Sequence, residues 1–278
     1  MQSDVAIITV NMNPATISDL LDSLAAQKNK SFHLFIIDYT PKPISLPHKL
    51  IEQKHATILH RTNKGYAYGV NEGVVEATRL GHKRYVVIND DTYVAGDFIE
   101  KVQKSFEAHP STLIGGKIYY APGYEYHKER YDKSDKGRVL WYAGGLVDKD
   151  HATTVHRGVD EVDGGQYDTE EPTEFITGCL MLFDSDALKQ LGAWDESYFL
   201  YYEDADYGER AKKHDIPLLY DPSLVVWHKT SSSTGGSGSS LHVNYQRKNQ
   251  IKWARKYMPK RTLLHLLKNY ALGKLTGK

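Results

Sequence analysis

Short apolar runs alternate with segments of helical period along the first 120 residues. Strands are predicted at residues 5–10, 32–37, 57–59, 85–88 and 113–118. Three helices are predicted between them, the first opening at Pro14 and the others at residues 70–80 and 98–106. Strands that alternate with helices predict a doubly wound, Rossmann-like α/β fold, with helices flanking a mostly parallel sheet.

The pattern changes between residues 121 and 173, where Gly, Asp, Tyr and His replace the long apolar runs. We expect short strands and loops there, forming an irregular antiparallel extension over one side of the sheet. Regular structure resumes with predicted helices at residues 184–191 and 204–213, a C-cap at Gly192 and a strand at residues 224–227. A Gly- and Ser-rich stretch at residues 228–240 predicts a flexible loop. C-terminal helices are predicted at residues 243–257 and 261–275.

Composition narrows the function classes. The 278 residues carry 35 Lys and Arg against 35 Asp and Glu, so bulk charge gives no argument for nucleic-acid binding. The single cysteine, Cys179, cannot form an intrachain disulfide and favours a reducing compartment. The N-terminus lacks a signal-peptide pattern, and no apolar stretch approaches the ~20 residues of a membrane span. We expect a cytoplasmic protein.

The stretch "RYVVINDDTYV" ends a predicted buried strand in Asn89, Asp90 and Asp91. In open α/β sheets, ligands bind beyond the carboxyl ends of the strands, where Asn11 and Asp38 also fall. Carboxylate oxygens suit Mg²⁺ or Mn²⁺, which often bind through one or two carboxylates plus substrate phosphates. The alternative is a solvated turn, which Asn and Asp favour in any case.

The stretch "NKGYAYGVNEG" precedes a predicted helix. Gly65 and Gly69 permit close backbone approach, and the helix start offers N–H groups to an anion. The spacing matches neither a P-loop nor the GxGxxG fingerprint. The alternative is an ordinary loop before a helix.

Carboxylates crowd the start of another predicted helix in "YYEDADYGERA". Capping of the helix N-terminus explains them simply. The functional alternative is that Asp204 acts as a general base on a hydroxyl, walled from water by Tyr198, Phe199, Tyr201 and Tyr202. His228 ends a further strand in "VVWHK", where it could contact a metal or a pyrophosphate.

In their order along the chain, these motifs resemble glycosyltransferase family 2, the inverting nucleotide-sugar transferases of the GT-A fold. The motifs that carry the resemblance are "AIITVNMN", "IIDYT", "NKGYAYGVNEGV", "VINDDTYV", "YAGG", "DGGQYD", "FITGCLMLFDSDALKQLGAWDESYFLYYEDADYGERA" and "VVWHK". The chain is most similar to the rhamnosyltransferase-like branch, over residues 5–257. The resemblance implies a GT-A catalytic domain at residues 1–242 and a helical segment at residues 243–278. Within the domain, residues 1–120 would bind the nucleotide sugar and residues 121–242 would face the acceptor.

The resemblance also implies roles for single residues. Asp204 would be the catalytic base, and Asp91 would hold Mn²⁺ or Mg²⁺ with His228. Asn89 replaces the first carboxylate of the family's Asp-x-Asp motif. The residues implied to bind the nucleotide or the donor sugar are Asn11, Asp38, Asn63, Gly65, Asn71 and Asp90. The residues implied to lie on the acceptor side are Trp194, Asp195, Glu196, Tyr202 and Glu203. The family often follows the Asp38 equivalent with Asn and Ser, whereas Tyr39 and Thr40 follow it here.

The expected activity is transfer of a sugar to a hydroxyl of a bacterial surface polysaccharide or lipid-linked saccharide. The resemblance suggests dTDP-rhamnose as the donor, and a UDP-hexose next. One alternative is a sugar nucleotidyltransferase, but "VNMNPATI" lacks the Gly-rich, basic loop such enzymes carry after their first strand. A non-catalytic nucleotide-sugar or glycan-binding protein is the other, and the intact Asp91 and Asp204 argue against it.

The last predicted helix carries an apolar face and several cations. Its apolar face is predicted to hold Leu263, Leu266, Leu267 and Tyr270, and its charges are Arg261, Lys268, Lys274 and Lys278. Such a helix could lie peripherally on the inner face of the plasma membrane. Packing on its own domain, or on a second copy in a homodimer, is the simpler alternative.

Overall fold

One β-sheet organises the molecule. The structure is a computed structural model and describes residues 4–230 and 240–276. The strands are β1 (Val5–Asn11), β2 (Phe32–Asp38), β3 (Ala56–His60), β4 (Arg84–Ile88), β5 (Thr92–Val94), β6 (Leu113–Tyr120), β7 (Leu140–Tyr142), β8 (Gly145–Asp148), β9 (Thr153–His156), β10 (Glu171–Pro172), β11 (Leu180–Asp184) and β12 (Leu218–His228). The α-helices are α1 (Ser18–Ala26), α2 (Lys49–Glu52), α3 (Tyr66–Arg79), α4 (Phe98–Ala108), α5 (Ser185–Leu191), α6 (Glu203–Lys213), α7 (Ser240–Tyr257) and α8 (Lys260–Thr276).

The sheet runs in the order β10-β12-β6-β11-β4-β1-β2-β3. The four strands from β3 to β4 are parallel, and β12 is parallel to β6. Strand β11 lies antiparallel between β4 and β6, so it joins the two parallel parts. The halves at residues 1–120 and 121–242 therefore share one sheet. The predicted α/β fold, with a mostly parallel sheet flanked by helices, is confirmed.

Alternating residues of the strands feed two apolar layers. In β1, Val5 and Ile7 pack with α1 and α4, whereas Ala6, Ile8 and Val10 pack with α3 on the other face. Both faces are covered, which is why the strands read as continuous apolar runs instead of alternating ones. This rigid centre fixes where each strand ends, and so fixes the side chains that follow.

Three predicted starts were wrong and a strand was missed. Helix α3 begins at Tyr66 and not at residue 70. Helix α1 begins at Ser18 and not at Pro14, because residues 13–16 form a turn in which Thr16 N–H donates to the Asn13 carbonyl. Strand β12 begins at Leu218, because a register shift between Asp221 and Val225 accommodates Pro222 within the strand. Strand β11 was missed, since its apolar run is short and stands directly before a helix.

The irregular middle segment forms an antiparallel extension, as predicted, with the hairpin β8–β9 and the short strands β7 and β10. A buried ion pair joins this extension to the sheet, since Lys117 Nζ lies 2.8 Å from Asp163 Oδ2. The Tyr119 hydroxyl donates to the same carboxylate. These contacts hold the extension over one side of the carboxyl ends of the strands.

Both predicted C-terminal helices are present. Trp253 of α7 is fully buried, and Asn249 Nδ2 donates to the carbonyls of Leu200 and Tyr201 at 2.8 and 3.1 Å. Within the part of the chain that the structure describes, no helix is long and apolar enough to cross a membrane. The predicted flexible loop falls mostly on residues 231–239, which lie outside the described residues.

Candidate active site

The carboxyl ends of the strands surround a cavity of about 560 Å³. Of the predicted site residues, eight line it: Asn63, Gly65, Asp90, Asp91, Tyr202, Glu203, Asp204 and His228. The sheet and the start of α6 bring these residues together from four separate parts of the chain. The cavity is therefore the candidate active site.

Asp90 is held from beneath by two polar side chains. Its Oδ2 accepts hydrogen bonds from Asn11 Nδ2 at 2.6 Å and from Thr16 Oγ1 at 2.7 Å. Burial raises the pKa of Asp90 to about 6, and the neighbouring charge of Asp91 adds to the rise. Asn11 itself is fully buried. It therefore supports Asp90 from below and does not line the cavity.

Asp91 pairs with His228 across the sheet. Asp91 Oδ1 lies 3.1 Å from His228 Nε2, and both side chains are more than nine-tenths buried. Burial lowers the pKa of His228, but the Cys179 sulfur and the Asp91 carboxylate raise it well above its usual value. His228 is the last residue of β12, and Asp91 lies in the turn after β4. The contact between them therefore depends on the register of these strands in the sheet.

Glu203 and Asp204 stand side by side at the start of α6. Asp204 Oδ2 accepts from Gly178 N–H at 2.9 Å and Oδ1 accepts from Ala205 N–H at 2.8 Å. Burial raises the pKa of both carboxyls, and the charge of Asp204 raises that of Glu203 further. Among the described residues, Glu203 Oε2 has no hydrogen-bond partner. The two N–H donors favour the charged form of Asp204, whereas Glu203 Oε2 has no such donor among the described residues.

A close backbone contact closes one wall of the cavity. Gly65 has φ +108°, and a Cβ there would lie 2.6 Å from the Phe199 carbonyl oxygen. Tyr66 N–H donates to that same carbonyl at 2.9 Å. The Tyr66 hydroxyl reaches Asn89 Oδ1 and the Gly178 carbonyl, each at 3.0 Å. Glycine is therefore required at position 65.

A second cavity of about 510 Å³ adjoins the first, since Tyr39 and Asn63 line both. Asp38 lies behind its wall and is fully buried. Its carboxylate accepts from Thr40 N–H at 2.9 Å and from Ile44 N–H at 3.0 Å, and lies 2.9 Å from His60 Nδ1. Burial raises the pKa of Asp38, but these hydrogen bonds lower it below its usual value. Asp38 therefore positions Thr40 and His60, which do line the second cavity.

Besides Asn11 and Asp38, four predicted site residues line neither cavity. Asn71 of α3 is bonded to the loop before α6, donating to the Trp194 carbonyl at 3.0 Å and to Glu196 Oε1 at 2.9 Å. Trp194 is buried against Tyr207, and Asp195 lies 2.7 Å from Lys256 Nζ on α7. The structure thus gives Asn71, Trp194, Asp195 and Glu196 positions that brace the loop carrying Glu203 and Asp204.

Several lining residues escaped the sequence analysis. They are Met12, Tyr66, Trp141, Thr153, Thr154, His156, Phe175, Thr177, Cys179 and Gln246. Four of the ten, Trp141, Thr153, Thr154 and His156, come from the irregular segment, whose turns have no period that would place them near the sheet. His156 is the clearest case: its Nδ1 donates to the Trp141 carbonyl at 3.0 Å, and burial lowers its pKa to about 4.

The donor atoms suit a hard divalent cation completed by a substrate. Among residues 4–230 and 240–276, no three His, Cys, Asp or Glu side chains are grouped to hold a metal ion. The Asp91–His228 pair faces the open cavity and offers one carboxylate and one imidazole. Such a pair fits Mn²⁺ or Mg²⁺ when phosphate oxygens complete the coordination.

Residues 3–250 match the protein-family model described as "Glycosyltransferase like family 2". Over 72 residues, or 26% of this chain, the sequence is 38% identical to N-acetylglucosaminyl-diphospho-decaprenol L-rhamnosyltransferase of Mycobacterium tuberculosis, of which the match covers 24%. Over 157 residues, or 56% of this chain, it is 21% identical to the low-salt glycan biosynthesis hexosyltransferase Agl10 of Haloferax volcanii, of which it covers 46%. The matches thus span less than half of these curated relatives.

Solved structures share the fold. A crystal structure of GalNAc-T7 with UDP, GalNAc and Mn²⁺ superposes with a TM-score of 0.64 at 13% identity, covering 89% of this chain and 48% of that one. The mannosyltransferase PcManGT from Pyrobaculum calidifontis, in complex with GDP-Man and Mn²⁺, gives 0.54 at 15% identity, covering 96% and 69%. The fold is that of the GT-A glycosyltransferases.

Proposed function

The chain belongs to glycosyltransferase family 2, and from that premise we propose that it is an inverting, metal-dependent sugar transferase that uses this cavity. One observation carries the proposal: the Asp91–His228 pair and the Asp204 carboxylate line the same cavity. The first supplies metal ligands for a nucleoside diphosphate, and the second supplies a base for an acceptor hydroxyl. Neither a metal store nor a simple sugar-binding site needs both.

Asp204 is the proposed base. Two backbone N–H groups donate to it and favour its ionised form, and each of its oxygens keeps a lone pair for a hydroxyl. Burial raises its pKa towards the range in which a carboxylate takes a proton effectively. The acceptor hydroxyl gives its proton to Asp204, and its oxygen bonds to the anomeric carbon. The bond from that carbon to the diphosphate breaks on the opposite face, so the configuration inverts.

Asp91 and His228 are the proposed ligands of Mn²⁺ or Mg²⁺. The bound cation supplies positive charge where negative charge grows on the leaving diphosphate. Asp90, whose raised pKa reflects burial beside Asp91, is proposed to bond a hydroxyl of the donor sugar or ribose. The Mn²⁺ in the complexes of GalNAc-T7 and PcManGT supports dependence on a divalent cation.

The second cavity is the proposed site of the nucleoside. It is polar and continuous with the first through Tyr39 and Asn63, and Arg61 and Lys64 add positive charge to its wall. Asp38 contributes indirectly, by holding Thr40 and His60 in that wall. Asn63 bridges the cavities, since its Oδ1 accepts from Gly65 N–H at 2.9 Å.

For the substrates, we propose rhamnose from dTDP-rhamnose, with UDP-hexoses next, and a lipid-linked or polysaccharide acceptor. The activity named for the mycobacterial relative, a rhamnosyl transfer to a diphospho-decaprenol-linked sugar, supports both choices. Its match covers only a quarter of either chain, so the donor must be identified by experiment.

A donor panel tests the proposal. Purified protein with Mn²⁺ or Mg²⁺ is given dTDP-, UDP- and GDP-sugars, and the release of nucleoside diphosphate is measured. We expect slow hydrolysis of one donor that stops on chelation of the metal. The proposal would be contradicted if no donor in the panel released nucleoside diphosphate and no nucleotide raised the melting temperature of the protein.

A further inference from the structure

Basic residues concentrate at the C-terminal end of the chain. No Asp or Glu follows Asp221, whereas eleven Lys and Arg do. The chain as a whole has no net charge, so the preceding residues carry a matching acidic excess. So strong a separation of positive from negative charge along the chain indicates a surface that binds an anionic partner.

Only part of this charge is neutralised within the fold. Lys256 Nζ lies 2.7 Å from both Asp195 and Asp206, and this contact fastens α7 to the body of the protein. Arg261 pairs with Asp150, but both side chains are more than two-thirds exposed. Besides Lys256, the exposed cations among the described side chains of α7 and α8 are Arg247, Lys248, Arg255, Lys260, Arg261 and Lys268. These charges face solvent.

Helix α8 also carries an outward apolar stripe. Of the predicted face, Leu263 and Leu266 pack against the core and Leu267 is 38% exposed. Leu264, which lies outside the predicted face, is 67% exposed. Ala271 is exposed too and continues the stripe at the i, i+3, i+7 spacing. The stripe is flanked by cations, since Lys260 and Lys268 lie one turn before and one turn after Leu264.

We propose that α8 binds the surface of an anionic lipid bilayer. Leu264 and Leu267 would enter the boundary between headgroups and acyl chains, while Lys260 and Lys268 contact anionic headgroups. A symmetric contact between two copies would instead bring the same cations face to face. A nucleic acid would match the charge but would leave the leucines in water. The bilayer uses both features, and the inference does not depend on the proposed activity.

Vesicle flotation tests the inference with the full-length protein. The probes are vesicles of phosphatidylcholine alone and an equimolar mixture of phosphatidylcholine with phosphatidylglycerol. We expect flotation with the anionic vesicles, weakened by high salt, and at least tenfold less with phosphatidylcholine alone. The double variants Lys260→Glu/Lys268→Glu and Leu264→Asn/Leu267→Asn should each lose at least tenfold in binding. All four residues are exposed on the surface, so both variants should fold, which circular dichroism checks.

The matched control is Lys28→Glu/Lys133→Glu, which makes the same charge change at exposed sites away from α8. It should float like the parent protein. Equal loss in this control would mean that net charge alone acts, and the inference would fail. It would also fail if the leucine variant floated normally, if double-stranded DNA competed fully with the vesicles, or if no sample floated.

Discussion

Four carboxyl groups, Asp90, Asp91, Glu203 and Asp204, line one cavity, and their environments set them apart. Asp90 has hydrogen-bond donors beneath it, Asp91 has an imidazole, and Asp204 has backbone N–H groups. Glu203 Oε2 lacks a hydrogen-bond partner within the described residues. Buried carboxyls with different partners titrate differently, which would separate the proposed metal ligand from the proposed base.

Replacing Asp91 with Asn should weaken Mn²⁺ binding. The amide is a poorer ligand than the carboxylate and no longer pairs with His228, so binding in the presence of a nucleoside diphosphate should fall at least tenfold, or ~1.4 kcal/mol. Electron paramagnetic resonance of free Mn²⁺ measures this directly. The control Asp97→Asn removes an exposed carboxylate far from the cavity and should bind Mn²⁺ normally. Unchanged binding in Asp91→Asn would remove this residue from the metal site.

Gly65→Ala should damage both stability and donor binding. Alanine is strained at φ +108°, and its Cβ would press on the backbone of Phe199. We expect a loss of ~1–3 kcal/mol in the free energy of unfolding, measured by urea denaturation, together with a raised donor KM. Gly96→Ala is the matched control, because a Cβ there meets nothing within 4 Å. Equal stability of the two variants would show that the wall does not need glycine.

At the scale of elements, sequence periodicity predicted the sheet and its flanking helices, because apolar residues recur at a regular spacing in these buried strands and helices. It placed β1, β2 and β4 to within a residue or two, and with them the ends that carry Asn11, Asp38 and Asp90. It failed where a tertiary contact overrides local preference. Residues 13–16 form a turn instead of a helical start, and Thr16 in that turn bonds Asp90.

The candidate site was predicted unevenly for the same reason. Residues at strand ends or at a helix start, such as Asp91, Asp204 and His228, were found because the architecture directs such positions to the crevice. His156 and Trp141 were missed, since only the folded extension brings them over the sheet. Trp194 and Asn71 belong to the recognised motifs, yet they support the cavity from behind.

Asn71→Ala should loosen the loop that leads to α6. The buried amide makes three hydrogen bonds to Trp194 and Glu196, so its removal leaves buried polar groups unsatisfied. We expect a loss of ~1–3 kcal/mol in unfolding free energy and a lower kcat, because Asp204 loses its fixed position. The control is Asn269→Ala on the exposed surface of α8, where neither quantity should change. Wild-type stability in Asn71→Ala would refute the bracing role.

At the scale of the whole molecule, acid stability should depend on His33. Burial is the main cause that lowers the pKa of His33 to about 4, and the neighbouring His82 and His55 add to it. In an unfolded chain, a histidine titrates near 6.5. Between those values the unfolded chain binds more protons, so this contribution is present above pH ~6.5 and is lost as the pH falls towards ~4. His33→Gln should show a shallower loss of unfolding free energy over that window, by denaturation at several pH values. His265→Gln on α8 is the control, and identical slopes for all three proteins would contradict the prediction.

The molecule combines a rigid sheet, a cavity at the carboxyl ends of its strands, and the basic helices α7 and α8, of which α7 borders this cavity. Gln246 of α7 lines the cavity, and Tyr245 stacks on Phe199 with ring centroids 5.1 Å apart. The helices that carry the basic residues therefore also form part of the cavity wall. A partner bound along these helices would therefore lie near the cavity.

The most direct test of the account compares Asp204→Asn with Glu203→Gln in sugar transfer from the donor that the panel identifies. Both changes remove one carboxyl and keep the shape of the side chain. The account predicts that Asp204→Asn lowers kcat by ~10²–10⁴ with donor binding retained, since it removes the base. Glu203→Gln should keep most of the activity, because the N–H donors that favour a charged base lie at Asp204 and not at Glu203 Oε2. Full activity in Asp204→Asn, or an equal loss in both variants, would contradict Asp204 as the base.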